Sequence, residues 1–300
     1  MISILLLLIG IPLSIFIIWC TLYTILKLIE LFTFTPYTKP YEYSKEDLPE
    51  KKDTIKMIHY NCFWRPWLLH IGTIEYVRER MRLVSERLDE FDVVCLNESF
   101  HFGSNVVKEF VERMQERGFK YVVTAKRVPF FSMWVVDSGV MILSKYPIIE
   151  TDSIPYTEAD HWCWFAMKSC VYAKIQVSKT QHINVFSTHL QATSKRKSEI
   201  HIMQFQDIHN LMMRNISADT APTFLLGDMN TGSNNEKDYN DMLNGVKMPN
   251  YKVVDTFQTI KGIPRTIDYI LLFRSLENDQ VKDFSIEFDD MKVPNSPIPI

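Results

Sequence analysis

The hydrophobic pattern of the chain opens with an apolar run, rich in leucine and isoleucine, that holds no charged side chain from Ile2 to Leu26. At about 1.5 Å per residue, a helix of this length exceeds the roughly 30 Å hydrocarbon core of a bilayer. A secretory signal peptide would instead show a basic start, a shorter apolar core and a small-residue cleavage site. Residues 1–34 are therefore predicted to form an uncleaved transmembrane anchor.

The rest of the chain shows the mixed periodicity of one α/β domain, predicted at residues 54–300, after a polar stretch with scattered prolines at residues 35–53 that is predicted to be a linker. Apolar positions spaced by three and four predict helices at residues 73–89, 104–117 and 197–216. Ser104 is the predicted N-cap of the second helix, and Gly118 follows its end.

Strand-like segments alternate with these helices. Residues 171–177 and 183–188 are apolar runs joined by a short polar stretch, which predicts a hairpin. Hairpins mixed with helices predict two largely antiparallel sheets that pack face to face and are flanked by helices.

Polar residues recur where the predicted strands end. The runs IKMIHYN, DVVCLNE and NVFSTH end on Asn61, Glu98 and His189, and Asp268 lies in the run TIDYILL. The apolar run before residue 228 leads into a Gly-Asp-x-Asn turn that carries Asp228 and Asn230, predicted to point the same way because strand side chains alternate with period two. Polar residues at the strand ends of a mixed sheet form one rim, where sites are built.

Each of these residues also has a simpler explanation. Asn61 could cap a turn, Glu98 could be solvated, His189 could be a satisfied core histidine, and Asp268 could pair with Arg265. The simpler explanation suffices for any one residue, but five such strand ends together favour a functional site.

The order Asn, Glu, Thr-His, Gly-Asp-x-Asn, Ile-Asp resembles the endonuclease/exonuclease/phosphatase superfamily over roughly residues 54–300. Four strings are similar to its neutral sphingomyelinase branch: YNCFWRP at 60–66, DSGVMILSKYPI at 137–148, KSCVYAKI at 168–175 and FSTHLQA at 186–192. The resemblance implies the four-layer fold of the deoxyribonucleases, with two sheets between outer helices. It also implies hydrolysis of a phosphodiester by water, without a covalent intermediate.

The resemblance assigns a role to each strand-end residue. It implies a Mg²⁺ ion on Glu98 with Asn61 beside it, and Mg²⁺ prefers such a sparse set of hard oxygen ligands. It implies that His189 hydrogen-bonds the phosphate and that Asp228 orients the attacking water. Asn230 would bind a phosphate oxygen.

Asp268 matches the aspartate that orients a general-base histidine in that superfamily, and the histidine belongs to a Ser-Asp-His motif. The 300 residues contain no Ser-Asp-His, so we expect Asp268 to have no histidine partner, with His161 and His201 as disfavoured substitutes. Positioned acid–base groups contribute typically about 10²–10⁴-fold in rate. This leaves open an active hydrolase, a truncated form and a membrane-tethered pseudoenzyme that binds lipid or a partner.

Charge and composition limit the classes of molecule that the protein is expected to bind. A net charge of −3 and a pI near 6.3 argue against a dedicated nucleic-acid binder. Residues 129–136 and 161–165 are aromatic and are interpreted either as core or as loops that touch lipid. No obligate protein partner is inferred.

Several observations bear on localisation. Lysines follow the apolar run at positions 27, 39, 45, 51 and 52, which by the positive-inside rule favours a cytosolic catalytic domain. The five cysteines show no disulfide framework. The sequence therefore favours a membrane-anchored, Mg²⁺-dependent phosphodiesterase acting on a phospholipid headgroup, with a nuclease or a phosphoinositide phosphatase on the same fold as alternatives.

Overall fold

A computed structural model describes residues 2–37, 42–66, 76–256 and 266–281. The helices of these ranges are α1 (Ile2–Thr33), α2 (Val77–Arg87), α3 (Val106–Glu116), α4 (Lys197–Ile216) and α5 (Glu236–Gly245). The strands are β1 (Met57–Trp64), β2 (Val93–Ser99), β3 (Tyr121–Thr124), β4 (Met141–Ser144), β5 (Ile148–Pro155), β6 (Ser169–Gln176), β7 (His182–His189), β8 (Thr223–Asp228), β9 (Tyr251–Asp255) and β10 (Asp268–Ser275).

Two sheets form the centre of the domain, in the strand orders β1-β2-β4-β3 and β5-β6-β7-β8-β10-β9. Neighbouring strands are antiparallel except for the pairs β1/β2 and β7/β8, which are parallel. The predicted arrangement of two largely antiparallel sheets is thereby confirmed, as is the hairpin of β6 and β7.

The period-two alternation of the strands divides their side chains between three apolar clusters. In β2, Val93 and Cys95 lie between the two sheets, whereas Val94 and Leu96 contact the cluster that contains α2 and α3. The six-stranded sheet is covered on its outer side by α4 and α5, with Phe205 among the buried residues. The layers are therefore helices, sheet, sheet and helices, with the inter-sheet core in the middle.

The helices agree with the sequence prediction except at their ends. Helix α4 has the predicted bounds, and Gly118 follows α3 with a φ of 94°. Ser104 is not the N-cap of α3, which is Asn105, although its hydroxyl accepts a hydrogen bond from the backbone N–H of Val106. The predicted start of the first domain helix at Thr73 lies outside the described residues.

Helix α1 contains the candidate membrane span, Ile11–Thr33, which by length and by its mean hydropathy of 1.9 is long and apolar enough to cross a bilayer. A signal sequence would meet the same test. The C-terminal end of this helix nevertheless contacts the domain. Arg127 donates to the backbone oxygens of Leu31 and Phe34 at 2.8 and 2.9 Å.

Gly227 lies where β8 passes closest to β7. A Cβ at this position would sit 2.0 Å from the carbonyl oxygen of Thr188, so any side chain must push the two strands apart. We expect Gly227→Ala to lower the free energy of unfolding by at least about 3 kcal/mol, the upper range for overpacking a core. Urea unfolding of the full chain measures this, with Gly118→Ala as control.

Gly118 also has a positive φ but has no atom within 4 Å of an added Cβ, so Gly118→Ala carries backbone strain without a steric clash. An equal loss of stability in the two variants would contradict the close approach of β7 and β8.

Candidate active site

The candidate site lies at one end of the inter-sheet core, where apolar residues on the facing sides of the strands give way to polar ones. His189 on β7, Asp228 on β8 and Asp268 on β10 occupy one row across the six-stranded sheet. Opposite them, Asn61 of β1 is in register with Asn97 of β2. The site is thus assembled from both sheets.

Asn61 joins the two halves of the site. Its Nδ2 donates to Oε1 of Glu98 and to Oδ2 of Asp228, each at 3.2 Å. The backbone φ of Glu98 is 53°, in the left-handed region, which redirects a side chain that strand alternation would place on the helix side with Leu96. The two predicted metal-site residues and the predicted water-orienting aspartate are therefore adjacent.

Asp228 is the most enclosed carboxylate of the site. Its backbone N–H donates to Oδ1 of Asn97 at 2.9 Å, and Nε2 of His189 lies 3.9 Å from its Oδ2. Burial, followed by the negative charge of Asp268, raises the pKa of Asp228 to about 6. A buried carboxylate that another carboxylate repels is a favourable place for a cation.

His189 and Lys168 are buried beside this carboxylate. Nδ1 of His189 has no hydrogen-bond partner within the described residues, so it is not the satisfied core histidine of the simpler explanation. Burial, and then the charge of Lys168, lowers the pKa of His189 well below its ordinary value. Burial also lowers the pKa of Lys168, whose Nζ donates to the backbone oxygen of Leu190 at 2.6 Å.

Asn230 lies next to Asp228 for a different reason from the one predicted. Strand β8 ends at Asp228, and Asn230 has a φ of 50°, so strand alternation does not reach it. Its backbone N–H donates to Oδ1 of Asp228 at 2.8 Å, in a tight turn, and its Nδ2 donates to the backbone oxygen of Leu190 at 3.1 Å. Lys168 and Asn230 therefore share one acceptor.

The expectation that Asp268 lacks a histidine partner is wrong. Nε2 of His59 lies 2.8 Å from Oδ1 of Asp268, and the imidazole is almost fully buried. Neither disfavoured substitute takes this place, since Nε2 of His201 donates to the backbone oxygen of Gln191 and His161 lies beside Asp160. Arg265, the other suggested partner of Asp268, lies outside the described residues.

His59 and Asn97 were missed by sequence reasoning, although one signal was present. His59 is two residues before Asn61 on the same strand, and period two places both on the inner face of β1. Asn97 gave no such signal because a polar residue inside a strand is uninformative until the opposite sheet is known.

Comparisons with known proteins identify the fold family. Residues 58–286 match the endonuclease/exonuclease/phosphatase family. The chain belongs to this family. It is 30% identical over 248 residues to sphingomyelinase C 2 of Leptospira interrogans, an alignment that covers 76% of this chain and 38% of that protein. It is 27% identical over 180 residues to a sphingomyelinase of Dictyostelium discoideum, covering 50% of this chain and 39% of that one. The chain spans about two-fifths of the length of either relative.

Solved structures agree on the fold of this family member. A magnesium-bound form of beta toxin from Staphylococcus aureus superposes with a TM-score of 0.62 at 21% identity, covering 76% of this chain and 86% of that one. Sphingomyelinase C from Streptomyces griseocarneus gives a TM-score of 0.60 at 21% identity, with 74% and 84% covered. These structures confirm the deoxyribonuclease-like fold inferred from the sequence, and the sphingomyelinase relatives support the inferred sphingomyelinase-like branch.

Proposed function

We propose that this protein is a membrane-anchored, Mg²⁺-dependent phosphodiesterase that hydrolyses the headgroup phosphodiester of a sphingolipid or phospholipid. The observation that carries the proposal is the position of Asn61, whose amide lies between Glu98 and Asp228 and so joins the residues of both sheets. The relatives named sphingomyelinase support a lipid substrate, and the family match supports a phosphoester reaction.

The residues present fit a Mg²⁺ ion. Glu98 supplies one carboxylate, with the amide of Asn61 beside it and Asp228 close by, so the protein would supply few ligands. Mg²⁺ is commonly held in this way, by one or two carboxylates, with waters and substrate phosphate completing its shell. Glu98 with Asn61 beside it is such a set, and the carboxylates of Asp228 and Asp268 add negative charge nearby.

When bound, Mg²⁺ would polarise the phosphoryl oxygen and stabilise charge on the leaving oxygen. The side chains of the chain itself then have distinct tasks. Asp228 orients the attacking water, for which its position at the centre of the site is suitable. His189, with an unpaired buried ring nitrogen among the described residues, and Asn230 hydrogen-bond phosphate oxygens. Asp268 and His59 form a hydrogen-bonded pair beside them.

Anchoring by α1 is the second part of the proposal. A cleaved signal sequence needs no contacts with the mature domain, whereas Lys27 and Arg127 join α1 to the domain by hydrogen bonds. The lysines that follow the apolar run favour a cytosolic domain. All five cysteines are free thiols, which agrees with a reducing compartment.

The test is release of phosphocholine from sphingomyelin by the full chain in detergent micelles with added Mg²⁺. We expect turnover that Glu98→Gln lowers at least ~100-fold, because metal-assisted charge stabilisation contributes several kcal/mol. Glu199→Gln, on the exposed first turn of α4, is the matched control and should keep full activity. Plasmid DNA is included as a competing substrate.

Three results would count against the proposal. Cleavage of DNA with no release of phosphocholine would favour the nuclease alternative, and release that persists in Glu98→Gln would refute the metal site. Inactivity of a folded chain towards both substrates would favour the pseudoenzyme.

A further inference from the structure

Five apolar side chains on two adjacent loops face outward and are here named the aromatic face. They are Phe130, Phe131, Met133, Trp164 and Phe165. Phe131 is 94% exposed, which places almost a whole phenyl ring in solvent. Exposed contiguous patches of this kind mark interaction sites rather than ordinary surface. Exposure therefore rules out, for these five residues, the interpretation that they belong to the core.

The two loops form one unit. The backbone N–H groups of Val135 and Val136 both donate to the carbonyl oxygen of Phe165, at 2.7 and 3.0 Å. Met133 and Trp164 line the same cavity of about 190 Å³ between the loops. The hydrogen bonds and the shared cavity thus join the two loops into a single surface.

This surface is joined to α1 by four hydrogen-bond contacts of Tyr23 and Lys27. Nζ of Lys27, 1% exposed, donates to the backbone oxygens of Pro129 and Trp134 at 2.7 and 2.5 Å. The hydroxyl of Tyr23 lies 2.7 and 2.8 Å from the backbone oxygens of Phe130 and Ser132. The aromatic face is therefore held at the level of residues 23–27 of the helix.

The length of α1 indicates how deep residues 23–27 lie in a bilayer. Twenty helical residues span about 30 Å, the thickness of the hydrocarbon core. The helix residues that precede Tyr23, from Ile2 onwards, supply this length. Tyr23, stacked on Trp19, and the loop bound to it then lie at the polar boundary of the bilayer, the depth that aromatic rings prefer.

The same loops reach the candidate active site at their inner ends. Three residues after Phe165, the buried Lys168 donates to the backbone oxygen of Leu190, the acceptor that it shares with the site residue Asn230. The other loop continues into Asp137, whose carboxylate accepts hydrogen bonds from the backbone N–H groups of His101 and Phe102, just after Glu98. The aromatic face and the site therefore share one side of the domain.

We propose that the aromatic face inserts into the headgroup boundary of the same bilayer that α1 enters, and so holds the candidate site against the lipid headgroups. This inference rests on the proposed anchoring by α1. The protein would act as a rigidly oriented enzyme on the membrane surface, because Tyr23 and Lys27 fix the loops to the helix, rather than as a domain on a free tether.

The test measures depth by spin labels in the full chain, reconstituted in phosphatidylcholine nanodiscs. Cys20 and Cys163 are partly exposed and are replaced by serine, whereas the other three cysteines are buried. Single cysteines are then introduced by Phe131→Cys, Leu276→Cys and Ile15→Cys. Leu276 is the matched control, an exposed apolar residue just beyond the end of β10 opposite to Asp268.

We expect the ratio of oxygen to nickel-chelate collisions to be several-fold higher for the label at position 131 than for the label at 276, and highest at position 15. A label at 131 that is as accessible to the nickel chelate as the label at 276, with position 15 in lipid, would overturn the inference while the anchor stands. A label at 15 in water would overturn the anchor as well. None of these readings requires catalytic activity, so failure of the proposed hydrolysis is distinguished from failure of this inference.

Discussion

Asp228→Asn is expected to abolish measurable lipid hydrolysis while leaving the fold intact. The carboxylate of Asp228 lies between residues of both sheets, because it contacts Asn61 of the four-stranded sheet and lies beside His189 of the six-stranded sheet. An asparagine keeps the shape and the acceptor for the N–H of Asn230, but it presents a second amide to Asn61 and has no charge with which to orient water. Misplacement of a reacting group costs about 100-fold or more, and we expect at least that loss in kcat.

Stability separates this effect from misfolding. Burial and the charge of Asp268 raise the pKa of Asp228, which means that folding disfavours the ionised form. Loss of that charge is therefore not expected to lower the free energy of unfolding at pH 8, measured without added divalent cation. The control is Asp241→Asn, which breaks an exposed ion pair with Lys237. This variant should change neither kcat nor the free energy of unfolding appreciably. A stable Asp228→Asn enzyme with normal kcat would refute the role of this residue.

The second large effect is expected at the pair of His59 and Asp268. Nε2 of His59 and Oδ1 of Asp268 are 2.8 Å apart, so each side chain orients the other beside Asp228. Removal of such a supporting hydrogen bond typically costs about 10–100-fold in activity. We expect His59→Gln and Asp268→Asn each to lower kcat by that amount, and the double variant to be no worse than the single ones, because both remove the same interaction.

A second histidine–aspartate pair provides the control. His182 lies 2.9 Å from Asp219, but it begins β7, whereas the site residue His189 ends it. His182→Gln should therefore leave kcat unchanged. If the losses from His59→Gln and Asp268→Asn multiplied in the double variant, the two residues would act independently and the pairing would have no functional meaning.

The fold was accessible from sequence because its signals are local. The spacing of apolar residues predicts α4 with its observed bounds, and the hairpin of β6 and β7 follows from two apolar runs with a short connection. Helix ends are harder to predict from sequence because several residues can serve as caps, as the shift of the α3 N-cap from Ser104 to Asn105 shows.

The site was accessible only in part, since its contacts are long-range. Asn97 reaches the backbone of Asp228 across 131 positions of sequence, and His59 reaches Asp268 across 209. The expectation that site residues lie at the ends of strands identified the last polar residue of each strand. That expectation did not identify His59, which lies two residues before Asn61 on the same face of β1. It also could not show that Asn230 is held by a turn.

The two sheets are consecutive in the chain, and this order has a consequence for biosynthesis. Strands β1 to β4 are complete by Ser144, whereas β5 to β10 come afterwards. A ribosome therefore releases α1 and the half of the site with Asn61 and Glu98 before it has made Asp228. No nascent chain shorter than that can hold a complete site, so the two halves of the site meet only after the second sheet has docked on the first.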